Sequence, residues 1–219
     1  VKKFIKKNKI PFACSWATID EFRSNDYLNS GIFGVAATRY GNFAIQNSDL
    51  ILCLGLRLSA QIMGSNQFSF SPNSKKILVE IDKNELSSHR LPKIHLKVNF
   101  NVRDFLKKIL GKQINFKRGQ FDLWKNKINF LKKKYPIVEK KHYAKNNYVN
   151  PYAFFNELSK KIFPNSVLIP DASANLIWCM QSFQRIKDTK IFTALNHSPM
   201  GYSVAASVGA FLGNNKKNI

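Results

Sequence analysis

Three short stretches of this 219-residue sequence carry residue types that could do chemistry. The first is "PDASANLIW", where Asp171, Ala172, Ser173, Ala174 and Asn175 form a turn of small residues ahead of an apolar helical pattern. Small side chains let backbone N–H groups approach an anion, and a helix N-terminus favours negative charge there. Asn175 can add a side-chain donor. The second is "VEIDKNE", which sets Glu80 and Asp82 at the exit of an apolar run. An acid in that place either accepts hydrogen bonds from a ribose or caps the next turn, and both readings stand. The third is "CLGLRLS", where Gly55 offers a tight exit and Arg57 a cation beside it. No GxGxxG occurs, so a nicotinamide-type dinucleotide site is poorly supported. His89, His95, His142 and His197 have no neighbours that suggest a catalytic triad. Trp178 and Met180 read as core.

These stretches must be positioned by strands and helices, and the pattern supplies both. "IPFACSW" reads as a short buried strand, and a helical spacing runs from about Tyr40 to Asn47. "DLILCLGLRL" and "KKILVEIDKNEL" are continuous apolar runs, as expected of parallel strands covered on both faces. "IHLKVNF" is a third strand. "NVRDFLKKIL" follows as a helix with Asn101 at its N-cap and Gly111 at its C-terminal side. Asn150 and Pro151 open another helix in "NPYAFFNELSKKIF". "NSVLIPDASANLIWCMQSF" reads as strand, turn and helix, and "TKIFTALNHSPMGYSVAASVGAFLG" repeats that plan. The small residues after Gly201 predict a helix packed tightly on its sheet. Strands alternating with helices give an α/β class with an open parallel sheet. The expected organisation is a Rossmann-like, nucleotide-binding type of domain over residues 1–113, a Lys-rich helical linker over 114–147, and a second α/β unit over 148–219.

Composition narrows the function classes. The apolar fraction of 44% suits a globular chain, and no apolar run is long enough to span a bilayer. Cys14, Cys53 and Cys179 are widely spaced, without the spacing of a zinc site or a disulfide framework, which fits a reducing cytoplasm. The net charge of +22 suggests a basic nucleic-acid-binding protein. Against that, Lys supplies 28 of the 35 basic residues and Arg only 7. Arg is the better reader of phosphate forks and base edges, so no specific nucleic-acid partner is expected.

Taken in order, these segments resemble the thiamine-diphosphate-dependent enzymes of the acetolactate synthase type. "NFAIQNSDLILCLGLRLS" and "KKILVEIDKNELSSHRLPKIHLKVNFNVRDFL" are similar to that family's central domain. "NSVLIPDASANLIWCMQSF" and "SPMGYSVAASVGA" are similar to the opening of its diphosphate-binding domain. The resemblance implies that Asp171–Asn175 receive the diphosphate of thiamine diphosphate, with Ser173 standing where the family usually has Gly. It implies that Met200, followed by Gly201, props the bent cofactor, and that the carbonyl of Ser198 bonds its pyrimidine amino group. Pro199, between them, departs from the usual small or hydroxyl residue. Gly55, Arg57, Glu80 and Asp82 match positions around a nucleotide pocket that holds FAD in some relatives. The implied reaction is decarboxylation of a 2-oxoacid such as pyruvate and transfer of the remaining fragment to a second carbonyl, within a homodimer or homotetramer. The implied catalytic Glu and the Gly-Asp-Gly that holds Mg²⁺ do not occur in these segments, so the chain is expected to be an internal fragment that is inactive alone. A non-catalytic FAD- or NAD-type nucleotide-binding module is the alternative.

Overall fold

The structure is a computed structural model that describes residues 1–213, apart from 113, 115, 118, 146 and 196. Helix α1 (Lys2–Asn8) leads to strand β1 (Phe12–Cys14), which pairs in parallel with β2 (Asn29–Ile32). Helix α2 (Arg39–Gln46) follows, its N-cap Thr38 accepting from the Gly41 N–H. The main sheet is β3 (Leu50–Leu54), β4 (Lys75–Glu80) and β5 (Leu96–Asn99), all parallel, with β4 in the middle. The short helices α3 (Ala60–Met63) and α4 (Lys83–Ser87) make the crossovers. Helix α5 (Val102–Leu110) leaves the sheet with Asn101 as its N-cap and Gly111 as its C-cap, as the sequence predicts.

The central strand explains the apolar runs. Leu78 and Val79 are both fully buried, so successive side chains pointing to opposite faces each meet packed atoms. One face carries a core of Phe33, Ile51, Cys53, Leu58, Ile62 and Leu78. Lys76 breaks the pattern. It is 1% exposed, and its ammonium donates to the carbonyls of Ser71 at 2.6 Å and Ser74 at 3.2 Å. Burial without a carboxylate partner in those bonds lowers its pKa.

The Lys-rich stretch is not only a connection. Helix α6 (Asp122–Lys134) lays Ile128 and Leu131 against Ala44 of α2, with Phe43 and Trp124 stacked at 6.0 Å. Its lysines lie on and around this amphipathic helix.

The C-terminal unit contains α7 (Pro151–Lys161), β6 (Val167–Leu168), α8 (Ala174–Ser182), β7 (Lys190–Ile191) and α9 (Tyr202–Gly213). Asn150 caps α7 through the N–H groups of Tyr152 and Ala153, with Pro151 in the first turn. β6 and β7 pair in parallel over two residues each, shorter than the sequence pattern suggests. The apolar run around them is satisfied elsewhere. Phe155, Leu176, Cys179, Met180, Phe183 and Ile191 join Ile19, Ile32 and Ala36 of the N-terminal part in one core. Polar bonds trim this seam. Gln181 donates to the Ala37 carbonyl at 3.0 Å, and the Arg185 N–H to the Ser24 hydroxyl at 2.8 Å.

Helix α9 departs from the expectation. None of its residues is buried, and Val204 and Leu212 are largely exposed. A two-residue ladder has no broad face on which a small-residue helix could pack.

Two outcomes are expected. Burial pushes the thiols of Cys14, Cys53 and Cys179 up to about 12. A thiol reagent near neutral pH therefore labels none of the three in the native chain and all three in denaturant, followed by absorbance. Phe183→Ala should cost about 3–5 kcal/mol in chemical denaturation, because it empties part of the core shared by both ends of the chain.

Candidate functional site

The C-terminal turn is built from α8 upward. Leu176, Cys179 and Met180 are buried, so the helix sits at a fixed depth, while Ser173 and Asn175 at its opening are exposed. Ser173 is the N-cap and makes no side-chain capping bond. The capped openings of α2, α5 and α7 differ in this respect. The first-turn N–H groups of a helix have no partner within it, so an opening lined by alanines and without a cap is a place for an anion.

The Asn175 amide oxygen does not face outward for a ligand. It accepts the Asp171 N–H at 3.2 Å and closes the turn on itself. Ser173 has φ 67°, a backbone conformation that favours glycine. This is the position where the resemblance expects Gly. Ser198 likewise has φ 43°. Two serines thus occupy left-handed backbone positions in the two predicted cofactor segments.

The structure brings those two segments together through Asp171. Its carboxylate accepts from the N–H groups of Ala172 at 2.7 Å, Gly201 at 3.2 Å and Ser203 at 3.0 Å, and from the Ser203 hydroxyl at 2.6 Å. These bonds hold its pKa down at about 2, with the Ser203 hydroxyl the largest cause. Gly201 has φ 82°, and a Cβ there would meet open space, so its conformation serves the backbone path and not a tight fit. Met200 is 90% exposed. Its side chain is available beside the turn and packs into no core. His197 and Pro199 are also exposed.

The second group of predicted residues gathers at the carboxyl edge of β3–β4–β5, because parallel strands all end on one side. Gly55 has φ 59°, and its N–H donates to the Val79 carbonyl at 2.9 Å. Arg57 meets Glu85 at 2.9 Å while remaining 62% exposed. Glu85 lies on α4 and was no part of the sequence reading. It is reached only because the crossover folds α4 beside the loop after β3. Asp82 caps α4 by accepting the Asn84 N–H at 2.8 Å. Glu80 accepts the N–H groups of Ile81 at 2.8 Å and Asp82 at 3.2 Å. Of the two readings for Asp82, the structure shows capping. Asn99, which sequence reasoning missed, donates to the carbonyls of Glu80 and Ile81 at 3.1 and 2.7 Å and ties the edge together. Among the described residues no group of three or more His, Cys, Asp or Glu could hold a metal ion, and no helix is long and apolar enough to cross a membrane.

The chain is similar to known proteins along most of its length. Residues 1–109 match the family described as thiamine pyrophosphate enzyme, central domain. The chain is 28% identical over 210 residues to an acetolactate synthase large subunit of Cyanidium caldarium, covering 94% of this chain and 34% of that protein. It is 23% identical to the chloroplastic acetolactate synthase of Arabidopsis thaliana, over 97% of this chain and 31% of the relative. It is 22% identical to the isozyme 1 large subunit of Escherichia coli (strain K12), over 100% of this chain and 37% of the relative. The chain spans about a third of the length of the curated relatives it matches. Neither a stand-alone nucleotide-binding module nor a nucleic-acid-binding protein is favoured by these relatives.

Two substitutions test the local geometry. Ser173→Gly should stabilise the chain by about 1 kcal/mol, read by denaturation, because it relieves a side chain at positive φ. Asp82→Ala should cost about 1 kcal/mol through loss of the α4 cap, with the sheet otherwise intact.

Proposed function

We propose, for a chain that belongs to the thiamine-diphosphate-dependent enzymes of the acetolactate synthase type, that it forms the central domain and the opening of the diphosphate-binding domain of a 2-oxoacid decarboxylase and carboligase. Residues 1–113 are the proposed central domain, 114–147 the connection, and 148–219 the start of the cofactor domain. The observation that carries the reading is continuous similarity over 94% of the chain to an acetolactate synthase large subunit, across both proposed units.

The residues present fit the cofactor. The N-terminus of α8, which opens at Ala174 without a side-chain cap, offers its first-turn backbone donors to a diphosphate. Met200 and the Ser198 carbonyl lie on the segment tied to that turn by Asp171, where the ring portion would be held. When bound, thiamine diphosphate supplies the nucleophilic carbon for decarboxylating a 2-oxoacid such as pyruvate and passing the fragment to a second carbonyl. This chain's own part is to bind and orient. Mg²⁺ is proposed to accompany the diphosphate, with no candidate ligand group among the described residues, and the 219-residue chain is proposed to be inactive alone. The edge of Gly55, Arg57, Glu80 and Asp82 is the proposed place for a nucleotide of the FAD class. A homodimer or homotetramer in a reducing cytoplasmic compartment suits the three free thiols and the implied assembly.

The test is a titration of the chain with thiamine diphosphate and Mg²⁺, with FAD and with a DNA duplex, at low and high salt. A net charge of +22 attracts any polyanion, and such attraction is screened by salt. Thiamine diphosphate binding should survive high salt and be displaced by pyrophosphate, whereas DNA affinity should collapse. Thiamine diphosphate that binds only at low salt, or no better than any other polyanion, overturns the proposal.

A further inference from the structure

Asp171 opens the turn proposed to receive the diphosphate, so contact with a cofactor or a metal is the first role to consider for it. The hydrogen bonds point elsewhere. Oδ1 accepts from Ala172 N–H and Gly201 N–H, and Oδ2 accepts from Ser203 N–H and the Ser203 hydroxyl. An ionised carboxylate has about four lone-pair directions. Two donors on each oxygen fill them. A cation binding directly to Asp171 would have to displace at least one of these bonds.

What those bonds hold is equally telling. No residue of α9 is buried, so no core keeps its first turn in place. Gly201 turns through positive φ in open space, and its N–H ends on Asp171. The same carboxylate satisfies two backbone donors, Gly201 and Ser203, at the entrance of a helix.

We infer that Asp171 is a positioning residue: its carboxylate fixes the Met200–Gly201 entrance and the first turn of α9 against the turn that opens α8, and it contacts neither cofactor nor metal. The inference rests on the proposed function only for what those two segments hold between them. The tether itself is a property of this chain. It accounts for a helix that stands beside the turn with none of its residues buried.

The experiment compares the full 219-residue chain with Asp171→Ala and Asp171→Asn by amide hydrogen exchange, resolved residue by residue. Exchange at the Gly201 and Ser203 amides should quicken at least about tenfold in Asp171→Ala, an order expected from loss of a charge-assisted bond. The amides of Cys179 and Met180 in α8 should keep their wild-type rates, which a general loss of stability would not allow. Asp171→Asn retains one acceptor oxygen and should fall between the two. Unchanged exchange at Gly201 and Ser203 overturns the inference. Should Asp171→Ala fail to fold, Ser203→Ala and a carboxyl titration of the wild type decide. The Asp171 carboxyl should titrate near 2, in step with the Ser203 amide shift. A midpoint at the ordinary value of 3.8 overturns the inference. Thiamine diphosphate with Mg²⁺ added to the same samples separates the two readings. Wild type that fails to bind it sinks the proposed function, while the exchange rates and the titration decide the role of Asp171.

Discussion

The C-terminal unit depends on a core that it cannot complete by itself. β6 and β7 pair over only two residues each, too little to cover the apolar faces of α7 and α8. Those faces are covered instead by Ile19, Ile32 and Ala36 from the first 36 residues. Hydrophobic burial is non-directional, so the seam alone would tolerate sliding. The Gln181–Ala37 and Arg185–Ser24 bonds give it a register. Once α8 is seated, its N-terminus has one place, and everything at the turn is measured from there.

From that seat the order is passed on by electrostatics. Asp171 follows directly from the seated strand and turn, and its carboxylate reaches across 30 positions to Gly201. The low pKa follows from the same bonds, since donors to the ionised form favour it. A depressed carboxyl contributes stability that is complete above its ordinary value of 3.8 and is lost as pH falls through about 2. The tether is therefore intact throughout the neutral range. The left-handed serines at positions 173 and 198 sit on either side of it. Strain of that kind persists only where the surrounding bonds over-determine the backbone, and the Asp171 cluster supplies such bonds.

The large positive charge has a similarly local explanation. With 35 basic residues against 13 acids, most cations cannot find a carboxylate. Aromatic faces take some of them, as Lys108 over Phe100 at 4.6 Å and Lys132 over Tyr40 at 5.5 Å show. Lys76 is turned inward onto two carbonyls. These contacts hold individual lysines in place and leave the net charge of +22 on the chain.

Much of this was legible in the sequence because it is decided over a few residues. Asn101, Asn150 and Pro151 mark helix starts through local capping, and the run "KKILVE" marks a strand covered on both faces, whereas "LILCL" buries Ile51 and Cys53 and leaves Leu50 exposed. The small-residue turn ahead of α8 was legible for the same reason. What tertiary structure alone decided involves partners far apart in the chain. Glu85 became the partner of Arg57 because a crossover brought α4 beside the loop after β3. Lys76 is buried at the start of β4 because the preceding loop brings the carbonyls of Ser71 and Ser74 to its ammonium. The sequence predicted a tightly packed α9, whereas none of its residues is buried. The role of Asp171 was hidden for the most general reason. A residue type and its neighbours determine which bonds a carboxylate can accept, but only the folded chain determines which donors arrive.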